Sequence, residues 1–153
     1  MSLKRISVIL GAIAVLLIIT VFCWFTLPEG PLPRTDVVID GRTFHAEVAK
    51  TPQDWERGLS NRASLPQSSA MLFVFDRPAY HAAWMKDMRF PLDILLILNH
   101  RIVALYENVP VPMPNQSPPL YGGNVQSDMA LEINAGLSQK DSFRKGDIVQ
   151  TNV

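Results

Sequence analysis

The chain of 153 residues reads as an α+β protein: a single transmembrane helix, then a mainly antiparallel barrel-like or sandwich domain with one or two short helices. Three observations predict this class. Residues 6–27 form one uncharged apolar run. Beyond it, short stretches rich in β-branched and aromatic residues recur between turn residues. Helix-start signals are confined to two brief segments.

The apolar run counts 22 residues, and at 1.5 Å rise per residue a helix of that length spans about 33 Å, the thickness of a hydrocarbon core. A cleaved signal peptide has a shorter run and a small-x-small cleavage site, whereas this run ends in the bulky Phe22, Cys23, Trp24 and Phe25. The reading is therefore an anchor, with Trp24 suited to the interface. Lys4 and Arg5 precede it, so positive-inside orientation keeps residues 1–5 in the cytoplasm and sends the rest across the membrane. The organisation is then 1–5 cytoplasmic, 6–27 transmembrane, 28–35 a proline-rich tether and 36–153 one extracytoplasmic domain in a single-pass cell-membrane protein. Cys23 lacks the small preceding residues of a lipidation site, because Thr20, Val21 and Phe22 stand there.

Formal net charge is zero, and 12 of the 14 basic residues and all 14 acidic ones follow the anchor. No basic run or face follows, so nucleic acid is not an expected partner. The lone cysteine lies in the apolar run, which leaves the domain without a disulfide or cysteine metal cluster.

Residues 36–39 and 43–49 read as strands joined at Asp40-Gly41, a tight-turn pair. Phe44, Ala46 and Val48 are expected on the core face, with Thr43, His45 and Glu47 opposite. Thr51-Pro52 with Asp54 marks a helix start running to about Leu59. Residues 71–75 and 80–85 follow as strands, the second interrupted by Lys86 and Asp87. Residues 92–98 are apolar except for Asp93, the pattern of a central strand buried on both faces, with Pro91 at its start. Asn99-His100 turns into a strand over 101–106. Five prolines between 110 and 119 predict an extended loop over one end of the domain. A strand over 129–133, a helical turn within 134–143 and a closing strand over 147–151 complete the chain.

Several stretches resemble one known family. They are Glu56-Arg57-Gly58-Leu59 with Arg62, then Met71-Leu72-Phe73-Val74-Phe75, and the run Trp84-Met85-Lys86-Asp87-Met88-Arg89-Phe90-Pro91-Leu92-Asp93-Ile94. Glu107-Asn108-Val109-Pro110, Leu131-Glu132-Ile133-Asn134-Ala135-Gly136 and Gly146-Asp147 complete the set. From Val37 onward the chain is similar to the bacterial and archaeal domain of unknown function 192. Asp87-Met88 stands where many members have Asn-Thr, and the proline-rich loop lacks a cysteine that some carry. The resemblance implies the architecture; it brings no activity, cofactor or site residue with it.

Asp93, inside an apolar strand, must be paired, hydrogen-bonded or neutral. Lys86 and Arg57 are candidate partners, and a structural ion pair competes with a functional role. Glu132 faces away from Leu131 and Ile133, toward water or a cavity. Trp84 beside Met85 and Lys86 is either core or a stacking face with a cation beside it. The candidate binding set is Trp84, Lys86, Asp93, Glu132, Tyr121 and Arg57, with Asp93 and Glu132 as candidate catalytic carboxylates. His45, His81 and His100 have no metal-ligand spacing, and neither a metal nor another cofactor is expected. No nucleophile elbow, P-loop or dinucleotide fingerprint is present.

The leading expectation is a membrane-tethered small-ligand-binding or accessory domain of the cell envelope, its pocket lying under the proline-rich loop and taking a small molecule or glycan. Two alternatives stand beside it: an envelope hydrolase using paired carboxylates, and a structural partner of another membrane protein.

Overall fold

A computed structural model describes residues 30–114 and 116–153, and the compact unit it describes runs from Leu32 to Val153. The expected anchor, residues 6–27, lies outside the described residues. Among the described residues no helix is long and apolar enough to cross a membrane.

Among the described residues, nine strands and two short helices follow in chain order: β1 (Arg34–Ile39), β2 (Arg42–Ala49), α1 (Pro52–Arg57), β3 (Ser69–Ala79), β4 (Ala82–Trp84), β5 (Leu92–Leu98), β6 (Arg101–Val109), β7 (Leu120–Gly122), β8 (Ser127–Asn134), α2 (Leu137–Lys140) and β9 (Val149–Thr151). Seven strands form one sheet in the order β6-β5-β8-β3-β2-β1-β9, while β4 and β7 form a separate two-stranded ribbon. Pairing in the main sheet is antiparallel except between β2 and β3, where the chain crosses over through α1. The result is an antiparallel-rich half-barrel. Its edges meet at one end, where Arg101 bridges Ile148 and Ile102 N–H donates to the Asp147 carbonyl at 3.0 Å.

Local chemistry accounts for the turns and the first helix. Asp40 and Gly41 both take positive φ, 47° and 80°, and so do Asn99 and His100, at 50° and 59°. Such two-residue turns match the twist of the strands they join. Thr51 Oγ1 accepts from Asp54 N–H at 3.2 Å and Pro52 opens α1, so the helix starts where a hydroxyl cap and a donor-free residue coincide. It ends at Arg57, two residues short of the expected Leu59, with Gly58 as its C-cap at a φ of 43°. At the other end of the domain, β1 begins at Arg34 and so takes two residues of the expected tether.

Period-two alternation sorts the side chains into two clusters. Val37, Phe44, Leu72, Leu95, Leu131 and Val149 belong to an inner cluster to which all seven strands of the main sheet contribute. Met71, Phe73, Ile94, Leu96 and Ala130 point the other way and are covered by Leu59, Met85 and Met88. β5 and β8 are buried on both faces. That second covered face is where the sheet departs from a simple one-sided barrel, and it holds the site.

Candidate functional site

The outer face of the sheet carries two adjacent cross-strand rows. One runs Phe73–Ala130–Leu96 and the next runs Met71–Glu132–Ile94. Ala130 is a methyl group between two large side chains, so the first row has a gap beside Glu132. α1 approaches over this gap because Gly58 has no side chain: a Cβ there would meet Phe73 Cζ at 3.3 Å. The other wall is the β4–β7 ribbon with the segment leading into it. Gly122 makes that contact close, since a Cβ at this position would lie 2.6 Å from the His81 carbonyl oxygen.

Between these walls lies a pocket of about 80 Å³, room for several waters at roughly 10–15 Å³ each. Trp55, Phe73, Phe75, His81, Trp84 and Met88 line it, with Glu132 and Ala130 among its sheet residues. The aromatics are held in place. Trp55 Nε1–H donates to the Ala49 carbonyl at 3.1 Å, its ring meets Phe75 edge-on at 5.4 Å, and His81 stacks on Phe75 at 3.7 Å. Trp84 is 42% exposed and has Lys86 Nζ 5.2 Å from its ring centroid, so it sits at the rim and not in the core.

Glu132 is the unusual member. It is 5% exposed, flanked by the fully buried Met71 and Ile94, and its carboxyl has no hydrogen bond or ion pair among the described residues. Burial with nothing to offset it pushes the carboxyl up to about 8 from the ordinary 4.5. Two positions along the same row, Glu47 shows the contrast. Arg62 grips it with two bonds of 2.6 and 3.1 Å, and this contact holds its carboxyl below the usual value.

Asp93 belongs elsewhere. It is fully buried and accepts from the backbone N–H groups of Asn108 at 2.7 Å, Gly136 at 3.1 Å and Ser138 at 2.8 Å. It pairs in register with Ile133, one step along from Glu132, so the pleat puts the two carboxylates on opposite faces of the sheet. They do not share a cleft, and the arrangement a paired-carboxylate hydrolase requires is not formed. Neither Lys86 nor Arg57 is the partner of Asp93.

Of the other sequence-derived candidates, Trp84, Glu132 and Arg57 line the pocket. Arg57 also pairs with Asp54 at 2.7 Å. Lys86 lines an adjoining polar hollow with Gln53 and Asp87 and approaches Glu56 at 3.9 Å. Tyr121 packs edge-on against Tyr106 at 5.7 Å outside the pocket. None of the described residues between 110 and 119 lines the pocket; the expected cover of proline-rich loop is replaced by the β4–β7 ribbon. Trp55, Phe73, Phe75 and His81, which line the pocket, are not in the sequence-derived binding set. Among the described residues no group of three metal-ligating side chains gathers.

The family model for DUF192, described as an uncharacterized ACR, matches residues 35–151. The chain belongs to the DUF192 family. The family stretches meet in space: Asp93 of one binds the amides of Asn108 and Gly136 of two others, and Arg57, Phe73 and Glu132 of three stretches line the pocket. Two solved structures resemble this DUF192 domain. A protein of unknown function from Novosphingobium aromaticivorans DSM 12444 is 26% identical with a TM-score of 0.70, covering 81% of this chain and 89% of its own. A candidate transcription regulator from Sinorhizobium meliloti 1021 is 28% identical with a TM-score of 0.72, covering 80% of this chain and 97% of its own. No curated protein matches the chain.

Proposed function

We propose that this DUF192 chain is a small-ligand-binding protein of the cell envelope, its domain held outside the membrane by the helix expected over residues 6–27. The observation that carries the binding role is Glu132, a carboxyl with no partner among the described residues and buried beside an aromatic pocket. Desolvating a carboxyl at a nearly buried sheet position costs stability, and a scaffold needing only a sheet residue there would be better served by leucine. Retention of that cost is expected where the group meets something the chain itself does not supply. The placement outside the membrane is supported by the charge asymmetry about the apolar run.

The cost is measurable. Glu132→Leu in the full chain should raise the melting temperature at pH 8, because the substitution replaces a desolvated carboxyl by an apolar side chain of similar volume among Met71 and Ile94. A lower melting temperature would make Glu132 part of the scaffold and remove the basis of the binding role.

A further inference from the structure

The walls and floor of the pocket specify more than a hollow. The floor offers one carboxyl with no donor aimed at it, and the sides are faces and edges of Trp55, Phe73, Phe75 and Trp84. No lysine or arginine of the described residues has an ion pair with Glu132, although the neighbouring Glu47 has two such partners, Arg34 and Arg62. Among the described residues nothing completes Glu132, which leaves its place open to a donor brought from outside. Aromatic faces attract cations as well as hydrocarbon, and a carboxylate prefers a charged donor to a neutral one.

We propose that the pocket takes a primary ammonium carried on a short hydrocarbon or aromatic group, its –NH₃⁺ on the Glu132 carboxylate and its apolar part between Trp55, Phe75 and Trp84. The inference rests on the binding role proposed above and names the ligand class for that site. The limited volume favours a compact amine over a sugar ring, and the half-exposed Trp84 leaves the apolar part a way out to solvent.

Charge around the pocket is compatible with this occupant. On α1, Arg57 is engaged by Asp54 and Glu56 faces Lys86. Ahead of β4, a ring nitrogen of His81 lies 3.2 Å from the Arg77 carbonyl. Along the sheet row, Glu47 is occupied by its arginines. Glu132 is the one pocket-lining carboxyl that is both buried and unpaired among the described residues.

Binding of the cation requires the ionised carboxylate, so it is coupled to loss of a proton. With Glu132 titrating at about 8, the competent fraction rises about 50-fold from pH 6 to pH 8, and apparent affinity follows it. The test is a titration of the isotope-labelled full chain in nonionic detergent with benzylammonium, and separately with its neutral isostere benzyl alcohol, followed by NMR at pH 6 and pH 8. The expected result is perturbation of pocket resonances by benzylammonium at least tenfold more tightly than by the alcohol at pH 8. Affinity for the amine should fall by one to two orders of magnitude at pH 6, and the preference for it should disappear in Glu132→Gln. Equal or tighter binding of benzyl alcohol would overturn the ammonium assignment and leave the pocket as a site for neutral ligands. Perturbation of the pocket by neither compound would overturn the assignment and the binding role together.

Discussion

Glu132 and Asp93 are carboxylates on adjacent strands that are buried on both faces, yet their surroundings differ in one respect: Asp93 collects three backbone N–H donors and Glu132 none. Asp93 ties the end of β6 to the start of α2. Asn108 reaches it with a positive φ of 52°, and Gly136, in the left-handed region at 83°, precedes the helix. Asp93→Ala would strand three amide donors in a dry interior, at a cost of roughly 3–5 kcal/mol. Denaturant unfolding should show this as a large fall in midpoint, large enough to unfold a marginal domain. A fall below about 1 kcal/mol would contradict the capping role. The sequence marked Asp93 as a residue that must be satisfied, but the partners were legible only as a class. The strands' hydrogen-bonding register, which no local pattern specifies, sends one carboxyl inward to the amides and the other outward to the pocket.

At the level of elements, strong local signals translated directly. The Asp40-Gly41 and Asn99-His100 turns, the Thr51-Pro52 helix start and the doubly buried β5 all stand where side-chain chemistry requires them. Elements held by tertiary pairing were illegible. The three residues of β7 become a strand only because Ala82–Trp84 lies alongside them, and the parallel β2–β3 pair depends on a crossover whose direction the alternation does not encode. The same ribbon explains why the pocket's aromatics went unread: Phe73 and Phe75 look like core in a strand pattern until a glycine-spaced wall leaves a hollow above them. Gly122 holds that wall. Its φ of +109° and the 2.6 Å and 3.0 Å approaches of His81 O and Leu96 Cδ1 to an added Cβ leave no room for alanine. Gly122→Ala should destabilise the domain by roughly 2 kcal/mol or more and speed amide exchange across residues 82–84. Unchanged exchange there would mean the ribbon tolerates displacement and does not define the pocket wall.

Across the whole domain, the sheet curls until Arg101 and Ile148 meet, closing the inner cluster at one end and leaving the outer face of β3, β8 and β5 to be covered by α1, the ribbon and the segment around Met85 and Met88. The pocket is the place where that cover is incomplete, and an ionisable group lies beneath it. Two glutamates on this face therefore give stability opposite dependences on pH. Glu47, with its carboxyl lowered by Arg62, contributes stability that is present above 4.5 and lost as pH falls. Glu132 is raised from 4.5 to about 8, so its contribution is greatest below 4.5 and is lost as pH rises toward 8. Comparing the full chain with Glu132→Gln isolates the second effect, because Glu47 is common to both. The decisive measurement is the difference in unfolding free energy between the two proteins from pH 4 to pH 9. The expected result is a wild-type stability that declines relative to the variant across this range, by up to roughly 5 kcal/mol, and levels above pH 8. A difference that stays flat would place the Glu132 carboxyl in water or against a hidden partner, and the site would have no chemistry of its own.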